Sequence, residues 1–106
     1  MTIYALSTGP GLSGVAIIRV SGEDTKKVIE SLTSKALPVP RVATLRKINK
    51  INSSELIDEG IILWFPGPQS YTGEDMAEFH IHGSKAVIDA LHASISEVKN
   101  CQLAEP

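Results

Sequence analysis

Cysteine is nearly missing: Cys101 is the one thiol in 106 residues. It can close no internal disulfide and has no thiol partner for a structural metal site, which suits a reducing compartment and leaves Cys101 as a thiol without a role. Long apolar runs are missing too. The longest, residues 61–65, falls far short of the roughly 20 residues that cross a bilayer, so no membrane contact is expected. The opening MTIYALSTG has neither the basic start and apolar stretch of a secretory leader nor the Arg-rich look of a transit peptide, which predicts a cytoplasmic location. Charge of one sign is scarce as well. Ten Lys and Arg against 12 Asp and Glu leave a formal −2, an overall balance that argues against a large basic footprint on DNA or RNA.

What is present is an ordinary globular composition, 42% hydrophobic and 21% charged, at a length that fits one domain. Residues 2–6 and 15–20 read as strands separated by the glycine-rich loop STGPGLSG. The near-continuous apolar character of VAIIRV predicts burial on both faces, with Arg19 as its single charge. Ser21 is placed to cap a helix starting near Glu23, with Val28, Ile29 and Leu32 as its apolar stripe, and ALPVPR ends it. Residues 42–48 and 56–65 form a hairpin around NKINSSE. In residues 76–82, Ala77, Phe79 and Ile81 occupy one face and Glu78, His80 and His82 the other. Gly83 and Ser84 open a last helix with Val87, Ile88, Leu91, Ile95 and Val98 on its apolar side, and CQLAEP supplies one more short strand. The sum is an α+β domain with a mixed sheet of five or six strands and helices on one face. The chain stops after a proline that is no obvious domain end, which predicts a fragment of a longer protein.

The polar residues of this framework admit bland and functional readings. His80 and His82 could reach one metal ion, but two imidazoles are half a site and the remaining histidine, His92, lies on the last helix. A hydrogen-bonded strand face is the stronger reading, and no metal site is expected. Glu74 and Asp75 follow Gly73, where a turn would leave both in solvent. The stretch STGPGLSG lacks the lysine of a phosphate-binding P-loop. Arg19 in an apolar strand must find an anion, since an unpaired buried charge costs several kcal/mol by order of magnitude. Glu78 and Glu74 are candidate internal partners, and a ligand role is the alternative. Tyr71 beside these carboxylates would suit a flat heterocycle held by ring stacking and by a carboxylate accepting from ring N–H groups.

The segments GPGLSGVAIIRVSG and LWFPGPQSYTGEDMAEFHIHG, with the terminal AEP, resemble the amino-terminal domain of the tRNA-modification GTPase family MnmE, also called TrmE. The resemblance runs over essentially the whole chain, and its most specific parts are Arg19, Ser21 and Gly22, the Trp64-Phe65-Pro66 strand end, residues 70–75, and His82-Gly83. It implies a domain that forms homodimers and binds 5-formyltetrahydrofolate or another tetrahydrofolate derivative, with Arg19, Tyr71, Thr72, Glu74, Glu78 and His82 as cofactor-binding residues. The family's longer protein carries a GTPase domain with GTP, magnesium and potassium, works with the flavoprotein MnmG (GidA), and modifies the wobble uridine of tRNA at carbon 5. By that resemblance this piece alone is non-catalytic. The block Tyr71-Thr72-Gly73-Glu74-Asp75, with Glu78 four residues after Glu74, is also similar to the folate-binding motif of glycine-cleavage aminomethyltransferases. That likeness implies a related fold, with Glu78 holding the pterin and Glu74 in reserve. Leu12 and Ser13 stand where the family often has a basic residue and a glycine, and Ser84 replaces a common second glycine. A stand-alone one-carbon transfer enzyme and a purely structural dimerisation module are the other readings.

Overall fold

In the computed structural model, which describes residues 1–7 and 14–104, the β-branched and aromatic segments assemble into one six-stranded sheet. The elements are β1 (Thr2–Leu6), β2 (Val15–Ser21), α1 (Thr25–Thr33), β3 (Thr44–Asn49), β4 (Leu56–Phe65), β5 (Met76–His82), α2 (Lys85–Ser96) and β6 (Cys101–Leu103). They lie side by side in the order β3-β4-β5-β2-β1-β6. Every neighbouring pair is antiparallel except β1 and β6, which run parallel, so the sheet is mixed and the fold is α+β as expected. Most of the glycine-rich loop, including Leu12 and Ser13, and the last two residues lie outside the described residues.

The period of two sorts the strands into faces. Tyr4, Ala16, Ile18, Val20, Ile62, Trp64, Ala77, Phe79 and Ile81 are buried against Val28, Ile29 and Leu32 of α1 and Leu91 and Ile95 of α2. Burying a side chain such as Phe79 or Ile18 contributes on the order of 1.5–3 kcal/mol, so this layer holds the sheet together. Among the described residues no helix covers the opposite face. Ile3, Val15 and Leu45 remain exposed there, and Ile17, Ile61 and Leu63 are half-buried. The expectation that β2 is buried on both faces is therefore corrected: Ala16, Ile18 and Val20 face the core while Val15 and Arg19 stand exposed.

Helix boundaries follow local chemistry that differs in part from the expectation. Ser84 caps α2, its hydroxyl accepting from the Val87 N–H at 3.2 Å. Ser21 does not cap α1; it belongs to β2, and Asp24 precedes the helix without a side-chain cap. The threonine at position 2 does part of that work, its hydroxyl accepting from the Asp24 N–H at 2.8 Å. Helix α1 ends before the prolines, where Ser34 turns left-handed and donates its N–H to the Glu30 carbonyl at 2.9 Å.

Candidate functional site

Strand register creates the site. β2 and β5 pair so that Arg19 lies opposite Glu78, and β4 places Leu63 on the other flank of Glu78. All three point to the helix-free face, in the middle of the sheet. Arg19 Nε donates to Glu78 Oε2 at 2.9 Å, and His80 Nε2 donates to Glu78 Oε1 at 2.9 Å. The carboxylate is largely shielded while the guanidinium is 48% exposed. Burial pushes the Glu78 pKa upward, but hydrogen bonds from His80 and Arg19, together with the charges behind them, outweigh it and hold the carboxyl below its ordinary value. The internal partner anticipated for Arg19 is thus Glu78. Each carboxylate oxygen, having accepted one bond, retains a lone-pair direction for a further donor.

The segment between β4 and β5 folds over one end of this pair. Gly73 adopts φ +83°, a conformation that favours glycine, and closes a turn by donating to the Ser70 carbonyl at 3.3 Å. Thr72 Oγ1 shares a hydrogen bond of 2.9 Å with Ser21 Oγ, and the same serine hydroxyl lies 3.5 Å from Glu74 Oε2. Asp75 is not the solvated turn residue expected from its position. Its Oδ1 accepts from the Gly67 N–H at 2.9 Å, and its carbonyl accepts from the Gly22 N–H at 2.9 Å and from Thr25 Oγ1 at 3.1 Å. Asp75 ties the segment to the start of α1; Glu74 stays exposed.

Two adjoining hollows result. One, of about 250 Å³, is lined by Arg19, Phe65, Tyr71, Met76 and Glu78. The other, of about 170 Å³, shares Arg19, Tyr71 and Met76 and reaches Ile3, Ala5, Ser21 and Thr72. Tyr71 is 93% exposed, a ring with almost no protein cover at the rim of an acidic and apolar depression. Of the six candidate residues, the fold brings Arg19, Tyr71, Thr72 and Glu78 around these hollows. Glu74 lies beside them, within reach of Ser21. His82 sits at the far end of β5 on a separate hollow of about 350 Å³ with Val15, Leu45 and Glu59.

His82 has its own partner. Asp58 accepts from the His82 N–H and from its ring Nδ1, both at 2.8 Å. Burial raises the Asp58 carboxyl, but bonds from the His82 backbone and ring prevail and its pKa is lowered. The two strand histidines are therefore committed to different carboxylates, and His92 packs on the opposite side against the Tyr4 ring, 5.4 Å between centroids. No three His, Cys, Asp or Glu among the described residues converge on a metal position. Sequence reasoning did not include Ser21, Phe65, Met76 or His80 in the candidate site. The alternation of β5 signalled His80 as a neighbour of Glu78, whereas the other three depend on cross-strand register.

Known proteins resemble this chain over nearly its whole length. Residues 2–106 match the family described as GTP-binding protein TrmE N-terminus. The tRNA modification GTPase MnmE of Pelagibacter ubique is 84% identical over 106 residues, covering 100% of this chain and 24% of that protein. The mitochondrial 5-taurinomethyluridine-[tRNA] synthase subunit GTPB3 of Danio rerio is 50% identical over 104 residues, 98% of this chain and 21% of its own length. The MnmE of Maricaulis maris is 50% identical over 96 residues, 91% of this chain and 22% of that protein. The chain spans about a quarter of the length of these curated relatives. It belongs to the family of TrmE amino-terminal domains.

Proposed function

We propose that this chain is the folate-binding, dimer-forming module of a GTP-binding protein that modifies the wobble uridine of tRNA. The observation that carries the reading is Glu78: an ionised carboxylate, oriented by Arg19 and His80, at the wall of a hollow rimmed by an uncovered tyrosine. A reduced pterin offers a 2-amino group beside a ring N–H, and one carboxylate accepts from both. The free lone-pair direction on each Glu78 oxygen suits that fork, and Tyr71 offers a stacking surface. Arg19 fixes the rotamer of Glu78 and keeps it charged. The adjoining hollows, about 250 and 170 Å³, fall together within the roughly 300–1,000 Å³ of small-molecule sites. Thr72 and Ser21 supply hydroxyls at the far wall, and Glu74 a second acceptor.

Dimer formation is supported by the helix-free face, where Ile3, Val15 and Leu45 stay exposed, and a site on that face can be completed by a second copy. GTP hydrolysis, magnesium and potassium belong in this reading to the remainder of the longer protein, while MnmG is engaged by the full-length protein and tRNA by the full complex. Titration calorimetry with 5-formyltetrahydrofolate, paired with sedimentation equilibrium, tests it. Saturable binding with one site per chain is expected. A protein that dimerises yet gives no heat at millimolar ligand would reduce the domain to a structural interface.

A further inference from the structure

The formal charge of −2 conceals a segregation. Between Glu30 and Glu55 the chain carries Lys35, Arg41, Arg46, Lys47 and Lys50, five cations, and no carboxylate. Two of them are occupied: Arg41 Nη2 donates to the Gln69 carbonyl, and Lys50 pairs with Glu55 at 2.8 Å. The remaining three converge. Lys35, just past the end of α1, and Arg46 and Lys47 of β3 line one hollow of about 390 Å³ with Thr33, Leu45 and Glu59. None of the three is in an ion pair among the described residues.

Among the described residues β3 is one of the two edge strands of the sheet, and lysines on an edge are commonly a guard against strand-to-strand aggregation. Arg46 does not behave as a guard. Its Nε is buried without a hydrogen-bond partner, and Nη1 reaches only the carbonyl of Leu45, at 3.2 Å. A charge serving solubility would extend into water, where every N–H is satisfied; this guanidinium is held against the protein with donors unspent. Lys35 and Lys47 line the same hollow, so three cations gather at the sheet edge. The one carboxylate there, Glu59, is the cross-strand neighbour of Lys47 and forms no ion pair among the described residues.

We infer that this edge is a phosphate-contacting surface for an RNA backbone. The inference rests on the tRNA-modifying reading above, which supplies the polyanion. Three cations around a hollow, one planar guanidinium and two ammonium groups, match successive phosphates better than one small anion, because Arg bonds a phosphate bidentately and Lys acts as a mobile point charge. The surface involves neither Glu78 nor Tyr71, so RNA and folate would be held by different parts of one domain.

The test is titration of a labelled tRNA transcript with the chain at several salt concentrations, with amide NMR shifts to map the contact. About three phosphate contacts give a slope of log affinity against log salt of roughly −2 to −3, with shifts at 33–35 and 44–50. Lys35→Glu with Lys47→Glu should reduce the slope by about 2; Lys99→Glu, outside the patch, should leave it unchanged. Arg46→Gln should weaken binding, and Glu59→Gln should strengthen it, a gain that misfolding cannot imitate. Absence of RNA binding at low salt, equal losses in the Lys99 control, or binding of an acidic peptide in preference to RNA would overturn the assignment, the last in favour of an acidic protein partner. Folate binding measured on the same proteins separates the two proposals: patch variants that lose RNA and keep folate support the patch, patch variants that keep full RNA affinity reject it, and a parent protein that binds RNA but no folate rejects the pocket alone.

Discussion

Replacing Glu78 by glutamine removes one charge while almost preserving shape, and it separates the scaffold role of that carboxylate from its ligand role. Hydrogen bonds to charged groups contribute about 1.5–3 kcal/mol each. Arg19 is 48% exposed and His80 27%, however, so solvent screening reduces both, and the variant no longer holds a carboxylate away from water. The net cost to folding should be about 1 kcal/mol, or about 4–8 °C in melting temperature for a domain of this size. Ligand binding should suffer more. A glutamine presents one acceptor and one donor to a pterin edge that requires two acceptors, which leaves a donor facing a donor. The loss should be about 2–3 kcal/mol, or roughly 30- to 150-fold in affinity for 5-formyltetrahydrofolate. Calorimetry below the melting transition measures this directly. The acid limb gives an independent check. Because the folded carboxyl lies below its ordinary 4.5, its stabilisation is complete above that pH and is lost as pH falls past it. Melting curves of the variant should therefore fall less steeply in acid than those of the parent. Affinity unchanged within about threefold, in a protein that shows the expected change in its acid limb, would refute the carboxylate clamp and leave Glu78 as scaffold only.

Gly60 lies on β4 where a Cβ would sit 2.3 Å from the His80 carbonyl oxygen, a backbone atom that cannot step aside. Gly60→Ala should cost about 1–3 kcal/mol by forcing β4 from β5, read as a fall in melting temperature. His92 Nε2 is buried without a partner, and burial, opposed only in part by Asp89, depresses its pKa. A depressed histidine contributes stability that is complete above its ordinary 6.5 and is lost as pH falls, so His92→Phe should remove the part of the melting decline that sets in as pH drops below 6.5. An unchanged decline would place the acid sensitivity elsewhere.

The sheet was readable where one face is buried. The alternation of residues 76–82 assigned Phe79 and Ile81 to the core and Glu78 to the other side, and β5 obeys it. Hydrophobic spacing likewise gave α1 its Val28, Ile29 and Leu32 stripe. Position along the chain says little about register, and this is why the candidate site was only half legible. That Arg19 meets Glu78, 59 residues away, follows from β2 pairing with β5. His82 carries the same alternation signal as Glu78 but stands at the opposite strand end, because a strand advances about 3.3 Å per residue. Ser21 is a misleading signal of another kind: a hydroxyl before an acidic pair satisfies the local pattern of a helix cap. Its actual partner, Thr72, arrives from 51 residues downstream.

The position of the charged triad is itself informative. Arg19, Glu78 and His80 occupy the two central strands of the sheet, among Ile17, Ile61 and Leu63, on the face that the domain's own helices leave bare. Folding did not require them there. A well-packed apolar set would be at least as stable as a partly buried ion pair, whose desolvation consumes most of its attraction. The core on the other face, from Ile18 through Phe79 to Leu91, already closes without any charged member. What the triad supplies is orientation, since a carboxylate held by two donors in fixed register presents its remaining lone pairs in one direction only. An uncovered apolar sheet with one oriented acceptor at its centre is the arrangement expected when the missing cover is a ligand or a second chain, and the hollow beside Tyr71 gives that acceptor something to face.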